Sequence, residues 1–260
     1  YSKEKTEEKE EIKKDYNKVL FVGDIMLGRY VEKLMLLHGE KYPFEKVSSF
    51  LKGYTVIGNL EGPIPLTHRS TVNGGMLFSF PNTTPRILKE NAIAAVSLAN
   101  NHAYDQGESG YENTKTVLDK EGVGHFGGYS TTASDSFVTK VSDIPVVIYG
   151  VTMISTTWNK DEAYKTTEKL RKENKDAILI AFVHWGDEYF SHQGDAQKEF
   201  AHTLIDKGVD VVVGSHPHVV QGIELYKGSP IFYSLGNFVF DQYFSKEVQR
   251  GYMLSLSTQE

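Results

Sequence analysis

Short apolar runs alternate along the chain with longer stretches in which apolar residues recur at helical spacing. The apolar runs are rich in Val, Ile, Leu and Phe, and they comprise KVLFVGD, YTVIGNLEG, AVSLANNH, VVIYGVT, AILIAFVHWGD, VDVVVGSHPH and IFYSLGNFVFD. Continuous apolar runs of this length are typical of strands that are buried on both faces. We therefore expect a sheet whose central strands include LFVG and VVVGS.

Helical spacing is found in the stretches TPRILKENAI, GYENTKTVLDKEG and DAQKEFAHTLIDKG. In the last of these, Phe200, Leu204 and Ile205 fall on one face, and Gly208 predicts where the helix ends. Strands that alternate with helices predict an α/β fold. Near the C-terminus, YMLSLST alternates with period two, which predicts a half-exposed antiparallel strand.

The two ends of the chain differ in character. Residues 1–17 are nearly all charged or polar, with Glu and Lys at helix-neighbour spacings, and they predict a flexible, charged tether. Residues 18–260 contain no repeat and no interdomain linker, so we expect them to form a single domain. The chain begins at Tyr1 and not at methionine, and we expect an upstream anchor or export segment.

Composition excludes several classes of function. The chain has 260 residues, of which 40% are hydrophobic and 24% charged, as in ordinary globular proteins. Its net charge is -6 and no basic stripe is present, which argues against nucleic acid as a partner. The absence of cysteine excludes thiolate metal sites, disulfides and cysteine nucleophiles.

Polar side chains follow directly on five of the apolar runs. They are Asp24, Asn59, Glu61, Asn101, His102, His184, His216 and His218. Any one of them alone is better explained by a turn, a local backbone hydrogen bond or a core histidine. Together they lie where α/β sheets gather their sites, at the carboxyl ends of strands, and they are residue types that bind divalent cations. The set therefore predicts a metal site.

The GSHPH motif is the most specific single signal. In an extended segment, residues two apart point to the same side, with Cα atoms roughly 6–7 Å apart. Pro217 favours extended geometry at His216, so His216 and His218 are expected to converge on one metal or on two neighbouring metals. The alternative is a surface His-Pro-His turn, which the apolar run before it disfavours.

Six motifs in order resemble the CapA family of bacterial capsule and poly-gamma-glutamate synthesis proteins, which is related to calcineurin-like metallophosphoesterases. They are GDIMLGR, GNLEGPI, SLANNHAYDQG, HWGDEY, GVDVVVGSHPHVVQGIE and YSLGNFVFD. The resemblance implies a metallophosphoesterase-like layered sandwich, in which two packed sheets are flanked by helices. It also implies one or two divalent ions, of which Mn, Zn and Fe are the expected candidates.

By this resemblance, the metal ligands would be Asp24, Glu61, Asn101, His184, His216 and His218, and His102 would donate the proton to the leaving group. The chain departs from the metallophosphoesterase pattern in two places. Met26 stands where those enzymes usually carry a histidine, and a thioether is a poor ligand for such cations. Glu61 replaces the usual bridging aspartate.

Several further residues are expected near the metals. If the segment after His102 starts a helix, Asp105 shares its face and orients the imidazole; alternatively, Asp105 caps the helix. Arg29 is a candidate for binding an anionic oxygen, or else forms an exposed salt bridge. Glu188 and Tyr189 are candidates for lining the substrate pocket, with packing as the alternative. The remaining candidates, which would support the ligands, are Asn59, Asn237 and Asp241.

Three functions remain open on the sequence. The favoured one is a metal-dependent hydrolase, phosphoesterase-like, whose substrate is an anionic small molecule or polymer of the cell envelope. The second is a non-catalytic capsule-assembly component that binds polyanionic polymer or membrane-bound synthesis subunits through a degenerate metal site. The third is an intracellular α/β protein with structural histidines. For either of the first two, we expect the extracellular face of the bacterial membrane as the location.

Overall fold

The computed structural model describes residues 18–70, 75–130 and 135–258. The tether predicted for residues 1–17 lies outside the described residues. The described ranges form four layers, in which two six-stranded sheets pack face to face and helices cover the outer face of each. The predicted α/β fold, a metallophosphoesterase-like layered sandwich, is confirmed.

The first sheet has the strand order β11-β1-β2-β3-β4, and β12 also pairs with β1. Its strands are β1 (Lys18–Ile25), β2 (Thr55–Leu60), β3 (Ile93–Ser97), β4 (Gly124–Phe126), β11 (Asn237–Val239) and β12 (Leu254–Ser257). All its pairs are parallel except β1 with β12, so the half-exposed antiparallel strand predicted near the C-terminus is confirmed.

The second sheet has the strand order β5-β6-β7-β8-β10-β9. Its strands are β5 (Ser136–Val141), β6 (Ile144–Thr152), β7 (Ile178–His184), β8 (Val211–Ser215), β9 (Ile223–Tyr226) and β10 (Ser229–Phe232). The pairs from β6 to β10 are parallel, and the two edge strands β5 and β9 run antiparallel to their neighbours. Because the central strands are parallel, their carboxyl ends lie together along one edge of each sheet.

Helices cover each sheet through an apolar face. On the first sheet lie α1 (Arg29–His38), α2 (Ser48–Leu51), α3 (Thr84–Glu90) and α4 (Gly107–Glu121), together with a 3₁₀ turn at Tyr42–Phe44; on the second lie α5 (Lys160–Glu173) and α6 (Asp195–Asp206). Sequence periodicity predicted α3, α4 and α6. It missed α1, the four-residue α2, and α5, whose buried face is only Ala163, Thr167 and Leu170. No helix in the described ranges is both long and apolar enough to cross a membrane.

The layer between the sheets holds the two together. Phe182 of β7 contacts Phe21 of β1 with ring centroids 6.4 Å apart and Phe126 of β4 at 6.1 Å. All three rings are buried. Burial of each such side chain stabilises the fold by about 1.5–3 kcal/mol, so these three rings help to hold the two sheets face to face.

The run IFYSLGNFVFD was expected to be one strand, and this expectation is wrong. Its first half ends β10 in the second sheet, and its second half forms β11 in the first sheet. The chain crosses between sheets through Gly236, whose φ of 71° suits glycine. The crossing places Asn237 beside Asp24, with which it is in register.

Gly23 is expected to be intolerant of any side chain. A Cβ atom built there would lie 1.8 Å from the carbonyl oxygen of Gly236, where β1 meets the crossing segment. We expect Gly23→Ala to lower the free energy of unfolding by at least about 1–3 kcal/mol, measured by chemical denaturation. Gly53→Ala is the control, because a Cβ there meets nothing within 4 Å. Equal stability of the two variants would contradict this packing.

Candidate metal centre

The carboxyl ends of β1, β2, β3, β7 and β8 meet the amino end of β11 at one place, and each strand brings a polar side chain. The residues gathered there are Asp24, Asn59, Glu61, Asn100, Asn101, His102, His184, His216, His218 and Asn237. Asp24, Glu61 and His218 are almost completely buried, with exposed fractions of 0 to 2%. Burial of carboxylates is costly unless a cation or strong hydrogen bonds compensate them.

Two groups of side chains are each arranged to hold a cation. Asp24, Glu61 and His184 form the first, and Glu188, His216 and His218 form the second; within each group the candidate ligand atoms lie within 4.8 Å of one another. Glu188, expected on the sequence to line the substrate pocket, is thus placed among candidate ligands.

His218 joins the two groups. Its Nδ1 lies 3.3 Å from Asp24 Oδ2, and its Nε2 lies 3.5 Å from Glu61 Oε1. Asn101 adds an oxygen to the first group, since its Oδ1 lies 2.7 Å from His184 Nε2. The six side chains predicted as ligands are therefore brought together.

Two asparagines behind the carboxylates fix their orientation. The Nδ2 of Asn59 donates to Asp24 Oδ1 at 2.8 Å and to Glu61 Oε2 at 3.2 Å. Asn100 in turn donates to Asn59 Oδ1 at 3.0 Å and to the backbone oxygen of Leu60 at 2.9 Å. Sequence analysis missed Asn100. The signal for it was that two asparagines, Asn100 and Asn101, follow β3, although only Asn101 was assigned a role.

The donor set fits a divalent cation. Glu61 Oε1 and His216 Nδ1 are buried and have no hydrogen-bond partner. A buried polar atom without a partner costs about 1–3 kcal/mol, and coordination to a cation would remove that cost at both atoms. Carboxylate and imidazole ligands without thiolates suit Mn, Fe and Zn. The Nδ1 of His218 also lies 3.0 Å from Asn237 Oδ1.

The extended geometry predicted for the His-Pro-His segment is wrong. His216 has a φ of 97° and His218 a φ of 57°, both in the left-handed region that non-glycine residues rarely adopt. Left-handed backbone turns the chain sharply after β8, and it brings the two imidazole rings to a centroid separation of 5.9 Å. Strain of this kind is concentrated at functional sites, where the surroundings hold it in place.

His102 and Asp105 lie beside the candidate ligands. His102 Nδ1 and Asp105 Oδ2 are 2.7 Å apart, so the carboxylate can orient the ring as predicted. The expected helical geometry is wrong, because α4 begins at Gly107 and both residues lie in the preceding turn. Asp105 does not cap that helix either. Its Oδ2 accepts from the backbone N–H of Phe78 at 2.6 Å.

Arg29 forms a bidentate ion pair with Asp241, and the same carboxylate accepts from the backbone N–H of Tyr30 at 3.1 Å. Both side chains are mostly buried, so the pair is not the exposed salt bridge considered as the alternative. Asp241, expected to support a ligand, instead holds this arginine.

Met26 is fully buried, and its sulfur accepts from the backbone N–H of Gly28 at 3.2 Å. Its side chain lies in the apolar layer between the first sheet and its helices.

Tyr189 lies at the rim of the site. It is 46% exposed, its ring centroid is 6.1 Å from that of His218, and its hydroxyl accepts from Gln242 at 3.1 Å. Trp185 lies on the other side of the strand end, fully buried, where its indole donates to the backbone oxygen of Tyr233. Of these two aromatic residues, only Tyr189 is accessible from solvent.

Burial and charge set the protonation of the site. Burial lowers the pKa of His216 to about 4 and holds the pKa of His184 well below its usual value, so both rings are neutral at pH 7. Burial raises the pKa of Glu61 well above the usual carboxyl value. Burial also opposes protonation of His218, but the carboxylates of Glu61 and Asp24 outweigh it and raise the pKa of His218 to about 9.

Metal binding is therefore expected to release a proton at neutral pH. The metal-free pair of His218 and Glu61 holds a proton at pH 7, and this proton must leave when the two side chains become metal ligands. We expect release of about one proton per chain at pH 7 when both ligand groups fill, and affinity that rises as pH increases towards 9. Calorimetric titration with Mn²⁺ in buffers of different ionisation enthalpy measures this, with His202→Gln as a control that keeps the release. Binding without proton release would contradict the assignment.

The chain matches known proteins over most of its length. The model of the family "Bacterial capsule synthesis protein PGA_cap" matches residues 18–242. The capsule biosynthesis protein CapA of Bacillus anthracis is 32% identical over 243 residues, covering 85% of this chain and 59% of that protein. The PGA biosynthesis protein CapA of Bacillus subtilis is 33% identical over 241 residues, covering 85% and 63%. The chain thus spans about three-fifths of these relatives' length.

A more distant relative is similar to this chain in sequence, and a solved structure shares its fold. A probable polyglutamine synthesis accessory protein of Mycobacterium tuberculosis is 25% identical, covering 86% of this chain and 74% of that protein. A hypothetical protein from Thermus thermophilus has the same fold, with a TM-score of 0.55 at 19% identity, covering 84% of this chain and 76% of that one. The family match spans every strand end that contributes to the candidate metal centre, and the chain belongs to the bacterial capsule synthesis protein family PGA_cap.

Proposed function

We propose that this capsule-family chain is a metal-dependent hydrolase, phosphoesterase-like, that acts on an anionic substrate of the cell envelope. The observation that carries the proposal is the joining of two candidate ligand groups through His218, with the His102–Asp105 pair beside them. Ligands for two neighbouring cations, with an acid at their edge, suit the hydrolysis of a phosphate ester.

In this proposal, some residues bind the metal ions and His102 acts as the general acid. Asp24, Glu61 and His184, with Asn101, would hold one ion, and Glu188, His216 and His218 would hold the other. Bound divalent ions polarise a substrate oxygen and lower the pKa of a bound water towards neutrality. The protein itself orients the ligands through Asn59 and keeps the imidazole of His102 directed by Asp105.

His102 is suited to protonate the leaving group. Asn101, its neighbour, reaches His184, so the backbone at this point is tied to the candidate ligands while the ring of His102 is free of them. With Nδ1 occupied by Asp105, the other ring nitrogen is available to a substrate. Arg29 is paired with Asp241, so it would contact an anionic substrate through the guanidinium N–H groups that do not bind that carboxylate, and Tyr189 would contact the substrate at the rim.

The biological setting follows from the family. Its relatives are named for capsule and polyglutamate synthesis, and we propose that this chain acts on, or beside, an anionic polymer with membrane-bound synthesis subunits as partners. Because capsule polymer lies outside the cell, we propose the extracellular face of the membrane, with an anchoring segment upstream. A γ-glutamyl amide is the alternative to a phosphate ester as the bond hydrolysed.

A second function is favoured by Met26. This residue stands where the related metallophosphoesterases carry a histidine, and its side chain is packed in the apolar layer. The chain would then be a non-catalytic component that binds polyanionic polymer through a weakened metal site.

One experiment separates the two functions. p-Nitrophenyl phosphate and poly-gamma-glutamate are offered to the Mn²⁺-loaded protein, and phosphate release, γ-glutamyl cleavage and polymer retention are measured. A hydrolase releases phosphate or shortens the polymer, loses this activity with a chelator and lacks it in Asp24→Asn. A protein that retains the polymer, but cleaves neither substrate at any metal concentration, supports the binding function and contradicts the hydrolase.

A further inference from the structure

Residues 78–80, here called the strap, cross closely over two of the sequence motifs. A Cβ atom at Gly28 would lie 3.0 Å from the backbone oxygen of Ser79, and one at Gly62 would lie 2.6 Å from the ring of Phe80 and 3.0 Å from Cβ of Phe78. Gly62 also has a φ of 145°, which only glycine adopts readily. The two glycines therefore make room for the strap, directly beside Glu61.

The strap is fixed by contacts along its length. The N–H of Phe80 donates to the backbone oxygen of Pro63 at 2.9 Å. The hydroxyl of Ser79 lies 2.8 Å from His68 Nδ1, and His68 Nε2 lies 2.9 Å from Glu32 Oε1 on α1. These contacts tie the strap to the segment after β2 and to the first helix. Its position is therefore set independently of the residues that it meets at the site.

Phe78 is the strap residue that meets the proposed acid. Its ring stacks on the imidazole of His102, with centroids 3.9 Å apart and planes at 17°. Its backbone N–H donates to Asp105 Oδ2 at 2.6 Å, the same oxygen that faces His102 Nδ1. Its backbone oxygen accepts from Gln106 Nε2 at 2.9 Å. One residue thus touches both the ring of His102 and the carboxylate that orients it.

The ring of Phe78 is itself held firmly. It is 3% exposed, the guanidinium carbon of Arg29 lies 4.8 Å from its centroid, and Phe240 contacts it edge-on at 6.3 Å. Arg29 is in turn fixed by Asp241. A histidine ring turns about a broad, two-fold torsion, so a flat neighbour held in place restricts it far more than a flexible side chain would.

We propose that Phe78 is a positioning residue, which fixes the ring orientation of His102 through stacking and the placement of Asp105 through its backbone N–H. The role in turnover rests on the proposed hydrolase function; the effect on the ring does not. Small misplacements of a catalytic group cost up to about 10²-fold in rate. We therefore expect Phe78→Leu to lower turnover roughly 10- to 100-fold with metal content unchanged.

The kinetic test uses leaving groups and a matched control. A positioned acid matters most for a poor leaving group, so Phe78→Leu should slow an alkyl phosphate much more than p-nitrophenyl phosphate, as His102→Gln does. Phe80→Leu removes another buried ring from the same strap, and it should show no such selectivity. Combining Phe78→Leu with His102→Gln should cost no more than His102→Gln alone. Equal loss on both esters, or full additivity, would overturn the proposal.

A second measurement does not depend on activity. In the parent chain loaded with diamagnetic Zn²⁺, NMR should detect a slowly exchanging imidazole N–H of His102, because Asp105 accepts it in a buried contact. Phe78→Leu should lose this signal and Phe80→Leu should keep it. Phe78→Met, whose flexible side chain fills irregular gaps but has no ring, replaces Phe78→Leu if that variant does not fold.

The two measurements separate the possible failures. If the signal is lost only in the Phe78 variant while no variant or parent cleaves a phosphate ester, the positioning stands and the hydrolase function fails. If the signal persists in the Phe78 variant, the positioning role is wrong whatever the activity.

Discussion

His102→Gln is expected to lower turnover of an alkyl phosphate ester by about 10²–10⁴ while leaving metal content intact, the range for loss of a general acid. Glutamine keeps a polar side chain of similar reach but cannot donate a proton as an imidazolium does. His102 makes no contact that would cost a bound ion, because its Nδ1 faces Asp105. Steady-state kinetics on a verified substrate and elemental analysis of the same sample measure both quantities.

Asp105→Asn is a second variant, expected to be milder than His102→Gln. Asp105→Asn should lose less activity, because the imidazole of His102 still stacks on Phe78 and can still donate a proton. Turnover that survives His102→Gln unchanged would remove His102 from the mechanism and favour the polymer-binding function.

Replacement of both His216 and His218 by alanine is expected to weaken stabilisation by metal. A ligand present at 100 times its dissociation constant stabilises the folded state by about 2.7 kcal/mol, which for a chain of this size raises Tm by roughly 5–10 °C. The double variant should show a smaller shift with Mn²⁺ or Zn²⁺, because one candidate ligand group loses two of its three members while Asp24, Glu61 and His184 remain.

The control for the double variant removes two histidines elsewhere. His38 and His202 lie on α1 and α6, outside both candidate ligand groups. His38→Ala with His202→Ala should keep the full thermal shift. An equal shift in both double variants, or no shift in the parent chain, counts against the metal centre.

The sequence predicted the strands that are buried on both faces and, from its alternation, the half-exposed β12, but it missed strands that are short or that lack both patterns. The runs that became β1, β7 and β8 are apolar throughout, because neighbours cover them on both sides. β4 has only three residues, and β5 is half exposed, so neither leaves a continuous apolar run. The split of one run into β10 and β11 depends on the packing of two sheets, which no local pattern encodes.

The candidate site was predictable to the extent that it depends on topology. Asp24, Glu61 and His184 converge because parallel strands end at the same edge, which their positions after apolar runs already imply. The left-handed backbone at His216 was not predictable from the rule for residues before proline, because the surrounding contacts impose it. The stacking of Phe78 on His102 joins a loop to a distant strand end, and neither segment's own pattern indicates it.

Anomalous diffraction from crystals soaked in Mn²⁺ tests the metal centre most directly. We predict an anomalous peak in contact with Asp24, Glu61 and His184, and a second, where two ions bind, in contact with Glu188, His216 and His218. The ligand distances should be about 2.0–2.2 Å, as for other divalent ions held by carboxylate and imidazole. Ordered side chains in both groups, with no anomalous peak between them at a Mn²⁺ concentration that saturates activity or thermal stabilisation, would contradict the metal centre.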